Sequence, residues 1–181
     1  MDTAVTRGQD GSSLVEVLVA SALLVTLMAG LMSMAGLAIS TTENQGHLAA
    51  RTTEYAQDKM EQLLALPYTD TASDTRSFPA AVSGGSGLAV GGSYDVESPV
   101  ALYVDYLDEN GNLCGTTGAA CVAPSGTTAP AGWHYKRAWK IETPPGTTDL
   151  KQITVASATI RGFGGATRSA SYLTVLKTRP F

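Results

Sequence analysis

The chain has 181 residues, enough for one domain or for a small domain plus an anchor. Charged residues make up 15% and the formal net charge is −4, so there is no basic footprint for a polyanion, and nucleic acid is not expected as a partner. Two histidines and the absence of a Cys-x-x-Cys pair leave no obvious metal set, and no cofactor is expected.

Taken in chain order, the first informative segment is residues 17–39, VLVASALLVTLMAGLMSMAGLAI, which are 23 positions without a charge. As a helix this segment extends about 35 Å, enough to cross a bilayer. A buried helix of a soluble domain is rarely apolar all round for so long, so a transmembrane helix is predicted. Glu16 stands just inside the apolar run, after Leu14 and Val15. Taken alone it has two readings of equal weight. It is a functional intramembrane carboxylate, or a first-turn glutamate in the headgroup zone that favours the positive end of the helix dipole.

The run Gly11-Ser12-Ser13-Leu14-Val15-Glu16-Val17-Leu18-Val19-Ala20 resembles the prepilin cleavage and methylation signature of type IV pilin-like proteins. Within it, LVEVLVA at 14–20 is similar to minor pilins of the PilV-like kind and to pseudopilins. The resemblance implies a cut by prepilin peptidase between Gly11 and Ser12, N-methylation of Ser12, and Glu16 in the place of the family's glutamate at the fifth mature position. It also implies inner-membrane lipid and other pilins or pseudopilins as partners. Cleavage would expose an α-amine four residues before Glu16, on the same helix face. That amine, or a neighbouring subunit's, would pair with the carboxylate and set the register between helices more than it adds stability. Two features depart from the family pattern. Ser12 stands where Phe is common, and the leader 1–11 sets Arg7 against Asp2 and Asp10 instead of being basic, so orientation rests on the resemblance and not on charge. The rival reading is an ordinary signal peptide cut near residue 36 or 39, at Ser33-Met34-Ala35 or Gly36-Leu37-Ala38. It requires a basic n-region and a shorter apolar core, and leaves Glu16 without a role.

From Leu48 an amphipathic pattern resumes. Leu48, Thr52, Tyr55, Ala56, Met60, Leu63 and Leu64 recur at three- and four-residue steps, and Arg51, Glu54, Asp58, Lys59 and Glu61 fill much of the rest. Pro67 ends the helix. One helix of about 80 Å over residues 13–66 is expected. The alternative is two helices hinged at 40–46, with Gly30, Gly36 and Gly46 each weakening the helix by about 1 kcal/mol. The stretch YAQDKMEQLLALPY at 55–68 also resembles the end of that helix in PilV-like minor pilins.

Residues 69–92 read as an exposed connecting loop. Its Gly84-Gly85-Ser86-Gly87 is not a nucleophile elbow, because Leu88 occupies the last glycine position. A strand is expected at 100–107, then a turn at 108–112 in which Asn110-Gly111 supplies the positive φ. A calcium-loop register set by Gly111 would put Tyr106 at the first ligand position, so the turn reads as structural. Cys114 and Cys121 lie in a low-complexity loop over 114–132; outside the cytoplasm a disulfide is their natural reading, and two free thiols are the alternative. Further strands are expected at 133–143, with Tyr135, Arg137, Trp139 and Ile141 on one face, at 150–161, and after a glycine turn over 162–167, at 169–178. The order Arg137-x-Trp139, Lys151-x-Ile153-x-Val155 and a short last strand resembles the C-terminal half of PilV-like minor pilins.

The expected fold is α+β and pilin-like, a long N-terminal helix packed on an antiparallel sheet of about four strands. Its divisions are a leader (1–11), the transmembrane half of the helix (12–39), the amphipathic half (40–66) and a globular β-rich domain (67–181). No catalytic site is expected: His134 beside Trp133 reads as a surface or partly buried residue, and His47 has no Cys or His near it in sequence. The function implied is a minor pilin subunit, not an enzyme. It would sit in the inner membrane with a periplasmic domain and pass from there into a filament. The alternatives are a type II secretion pseudopilin and a membrane-anchored periplasmic binding protein or enzyme.

Overall fold

The computed structural model describes residues 14–160 and 168–180. The cleavage positions Gly11 and Ser12 and the glycine turn expected over 162–167 lie outside the described residues. Helix α1 spans Leu14–Ala65 without interruption, so the hinge at 40–46 does not appear as a break in the helix. Five strands follow: β1 (Gly91–Gly92), β2 (Val104–Leu107), β3 (Tyr135–Glu142), β4 (Leu150–Thr159) and β5 (Ala170–Thr178). The chain divides into two compact units at Thr42/Glu43.

In the first unit the helical residues from Leu14 to Ser40 are exposed on every face, including Leu14, Leu31, Met32 and Met34. This helix is long and apolar enough to cross a membrane. Its hydroxyls do not interrupt that character. Ser21 donates to the Leu18 carbonyl at 2.9 Å, Thr26 to Leu23 at 2.9 Å and Ser33 to Gly30 at 2.9 Å, so each polar group is satisfied within the helix.

In the second unit the remainder of α1 lies on an antiparallel sheet of order β1-β3-β4-β5, with β2 also paired to β3. β1 and β2 share one edge of β3: Gly91 pairs with Ile141, and Val104 with Ala138. The register Trp139↔Val155↔Leu173 runs across the three long strands. Alternation puts Trp139, Ile141, Ile153 and Val155 on the helix side, where they close on Ala56, Met60 and Leu63. Lys177 on β5 donates to the carbonyls of Leu64 and Leu66, supplying the C-terminal cap that the last turn of α1, which has no basic residue, does not supply itself.

Several expectations need correction. Leu64 is 36% exposed and lies off the apolar stripe, whereas Lys59, expected among the solvent-facing charges, is fully buried. The segment 69–92 is not simply an exposed loop. Leu88 is wholly buried in the main core, Asp74 and Ala81 form a bridge, and Gly91–Gly92 join the sheet. Its first turn is held by the Asp70 carboxylate, which accepts from the Ala72 and Ser73 backbone N–H groups and from the Ser73 hydroxyl. The strand expected from residue 100 starts only at Val104, because Leu102 adopts φ 71° and breaks the extended run.

Candidate functional site

Glu16 lies in the first turn of α1 and is exposed. Between Asp10 and Glu43 it is the only charged residue in the sequence. Its sequence partners Gly11 and Ser12 are outside the described residues, so Glu16 is seen here by itself.

Cys114 and Cys121 are joined, with a Cα–Cα separation of 4.9 Å. The bridged loop covers the outer side of β2, where both cysteines, Val104 and Tyr106 form a cluster edged by Trp133. Tyr106 and Trp133 meet edge-to-face at 5.6 Å, and the Tyr106 hydroxyl donates to the Thr127 carbonyl at 2.7 Å. The turn before this loop is fixed by Asp108. Its carboxylate accepts from the backbone N–H groups of Asn110, Asn112 and Ala120 and from the Asn112 amide. That occupation accounts for a buried acid in a turn without any ion.

The densest polar chemistry lies beneath α1. Arg137 on β3 forms a bidentate pair with Asp105 on β2, Nε to Oδ1 at 2.7 Å and Nη2 to Oδ2 at 2.8 Å. Lys59 reaches the same carboxylate from the helix at 2.9 Å. Its other donors go to Gln62 Oε1 at 2.9 Å and to the Thr75 carbonyl, and its Nζ stands 4.0 Å over the Trp139 ring. Burial would raise the Asp105 pKa, but the charges of Arg137 and Lys59 and their hydrogen bonds hold it below the usual carboxylate range. Burial pulls Lys59 down from 10.5 to about 8; attraction to Asp105 opposes this, and repulsion from Arg137 adds to it. Burial is the largest cause, and Arg137, which shares the one carboxylate, lowers the Lys59 pKa further.

Above Arg137 opens a pocket of about 700 Å³. Asp58 and Glu61 of α1 form part of one wall, Phe78 and Leu113 contribute apolar surface, and Asn112 stands beside them. His134 is exposed just before β3 and does not line the pocket.

The triad was missed by sequence reasoning, although a signal existed. Lys59 falls four residues after Tyr55 and four before Leu63, in the middle of the apolar stripe, and Arg137 alternates with Tyr135 and Trp139. Two cations on inward faces call for a buried counter-charge. Asp105, flanked by Val104 and Tyr106, is that counter-charge. No family model, curated protein or solved structure matches the chain.

Proposed function

We propose that the chain is a minor pilin-like subunit, anchored in the inner membrane by the first part of α1. Prepilin peptidase cuts it between Gly11 and Ser12, the new N-terminus is methylated, and the subunit passes into a filament with its globular unit outside the cytoplasm. One observation carries the reading: Glu16 is the only charge in an otherwise apolar helix start, placed five residues after Gly11.

Physical chemistry supports the anchoring and assembly steps, whereas cleavage and methylation rest on the sequence resemblance. An apolar surface exposed on every face cannot stay in water and calls for lipid or other helices. Transfer from lipid into a bundle of similar helices changes little free energy, because both surroundings are apolar. Specificity must then come from a polar contact, and a carboxylate meeting a freshly exposed amine supplies one. Head-to-tail repetition of such contacts gives an open filament. The Cys114–Cys121 bridge is consistent with a domain that folds in an oxidising compartment.

Glu16→Ala tests the reading. In cells with an active prepilin peptidase, the variant should be processed like the wild type yet be lost from sheared, sedimented filaments. Incorporation at the wild-type level would contradict the charge-pairing account. Cross-linking of the wild-type subunit to its neighbours assigns it to a pilus or to a type II secretion pseudopilus, since the N-terminal chemistry is common to both.

A further inference from the structure

The two edges of the sheet are finished differently. On the β2 side the outward Tyr106 carbonyl accepts from the Cys114 backbone N–H at 2.9 Å, Leu107 bridges to Leu113, and the disulfide-bonded loop closes through the Gly115 N–H on the Cys121 carbonyl at 3.0 Å. β5 forms the other edge and pairs with β4 alone. The ladder between them is fixed at both ends. The Thr159 N–H donates to the Ser169 carbonyl at 3.1 Å, and the Arg179 N–H to the Asp149 carbonyl at 2.9 Å. In an antiparallel ladder the bonded pairs recur at every second residue. Ser171, Leu173, Val175 and Lys177 therefore turn their backbone groups to β4, and Ala170, Tyr172, Thr174, Leu176 and Thr178 turn theirs away from the sheet. Those outward groups have no protein partner among the described residues. β5 also lacks the devices that blunt an exposed edge. It is nine residues long and holds no proline, and its one charge, Lys177, is occupied by the carbonyls at the end of α1. On its outer face Tyr172 and Leu176 are 57% and 56% exposed.

We propose that β5 takes an added strand from another protein: an extended, uncharged segment, antiparallel to β5, with apolar side chains that pack on Tyr172 and Leu176. The unmet groups are alternating backbone donors and acceptors, which a strand satisfies along its length and a helix does not. Antiparallel pairing is the more stable arrangement. The segment is uncharged because the flanking cations are already paired, Arg168 with Glu97 and Arg179 with Asp149. A second copy of the chain does not fit. Its β2-side edge is closed by the disulfide-bonded loop, so sheets of two copies cannot continue one into the next. Two β5 strands paired antiparallel meet a different obstacle. Ser171 is hydrogen-bonded to the Thr52 and Thr53 hydroxyls and Lys177 to the Leu64 and Leu66 carbonyls, so α1 runs beside β5 in the same direction. Such a pair turns the two α1 helices end for end, which two chains anchored in one bilayer do not allow. That last step rests on the anchoring proposed above; the open edge does not.

Hydrogen exchange of the full chain in detergent micelles tests the proposal without involving processing or filaments. In the free chain the Tyr172, Thr174 and Leu176 amides should exchange fast and the Leu173 and Val175 amides slowly. The probe is the peptide acetyl-TVTVTVT-amide, N-methylated on its valines so that one edge can still pair and the peptide cannot stack on itself. At about ten times its dissociation constant, exchange at Tyr172, Thr174 and Leu176 should slow about tenfold. The same peptide methylated at every amide nitrogen should have no effect. Thr174→Pro removes a donor from the open edge and none from the β4–β5 ladder; it should abolish the slowing and leave Leu173 and Val175 protected. Leu176→Lys, which keeps every backbone group, should weaken peptide binding about threefold. The proposal is overturned if the peptide slows nothing, if the fully methylated peptide acts equally, or if both variants respond like the wild type. Protection of the three amides without peptide that grows with chain concentration also overturns it, and assigns the edge to a second copy.

Discussion

Replacing Lys59 and replacing Asp105 should have very different consequences, although the two side chains touch at 2.9 Å. Asp105→Asn leaves the Lys59 and Arg137 cations buried without their shared counter-charge, a loss of about 3–5 kcal/mol. Lys59→Met leaves the bidentate Asp105–Arg137 pair neutral and intact. It also removes an ammonium whose pKa burial has lowered from 10.5 to about 8, a penalty on the charged form of roughly 3 kcal/mol at pH 7. Against that gain stand the lost bonds to Thr75 and Gln62 and the contact over Trp139, together roughly 2–3 kcal/mol. The variant should therefore lie within about 1.5 kcal/mol of the wild type. Between pH 8 and 10.5 the unfolded chain holds the Lys59 proton more tightly than the folded chain does, so wild-type stability rises with pH across that window. From pH 7 to 9.5 the gain attributable to Lys59 is about 2 kcal/mol. Lys136, Lys151 and Lys177 are also lowered by burial, but they are common to both proteins, so the difference between wild type and Lys59→Met isolates the effect. Denaturant unfolding of the full chain in micelles, followed by tryptophan fluorescence at several pH values, measures it. The reasoning is refuted if Lys59→Met destabilises as much as Asp105→Asn, or if the wild-type-to-variant difference stays constant from pH 7 to 9.5.

Opening the Cys114–Cys121 bridge, by reductant or by Cys114→Ala with Cys121→Ala, releases a loop of sequence separation 7 and should lower stability by about 2.5 kcal/mol, read as a shift in the urea midpoint. Gly92→Ala should be destabilising by at least about 2 kcal/mol: φ there is +82°, and an added Cβ would collide with the Trp139 carbonyl and the Tyr103 ring. Gly118→Ala, which also has positive φ but meets nothing within 4 Å, should be milder by the steric part of that loss when both are measured in the same unfolding assay.

Periodicity made the two largest features legible. The three- and four-residue steps from Thr52 to Leu63 and the alternation of Tyr135, Arg137, Trp139 and Ile141 each correspond to a buried face. Residues 69–92 were opaque because their contribution to the core is a single side chain, Leu88, amid glycine and serine that carry no period. Lys59 was read by residue type and not by position; its place on the stripe outweighs its charge because Asp105, Gln62 and the Thr75 carbonyl meet it there. The pocket was invisible for a different reason. It draws on helix, loop and strand segments separated by up to 79 positions, from Asp58 to Arg137, and only their packing brings them together. At the N-terminal end the situation is reversed: Glu16 and the apolar run are fully expressed in the sequence, whereas Gly11 and Ser12 fall outside the described residues.

Intact-mass and peptide mass spectrometry of the protein from cells carrying an active prepilin peptidase bears most directly on the account. An N-methylated Ser12 as the first residue is the expected result. A chain that still begins at Met1, or one that begins near residue 36 or 39, contradicts it.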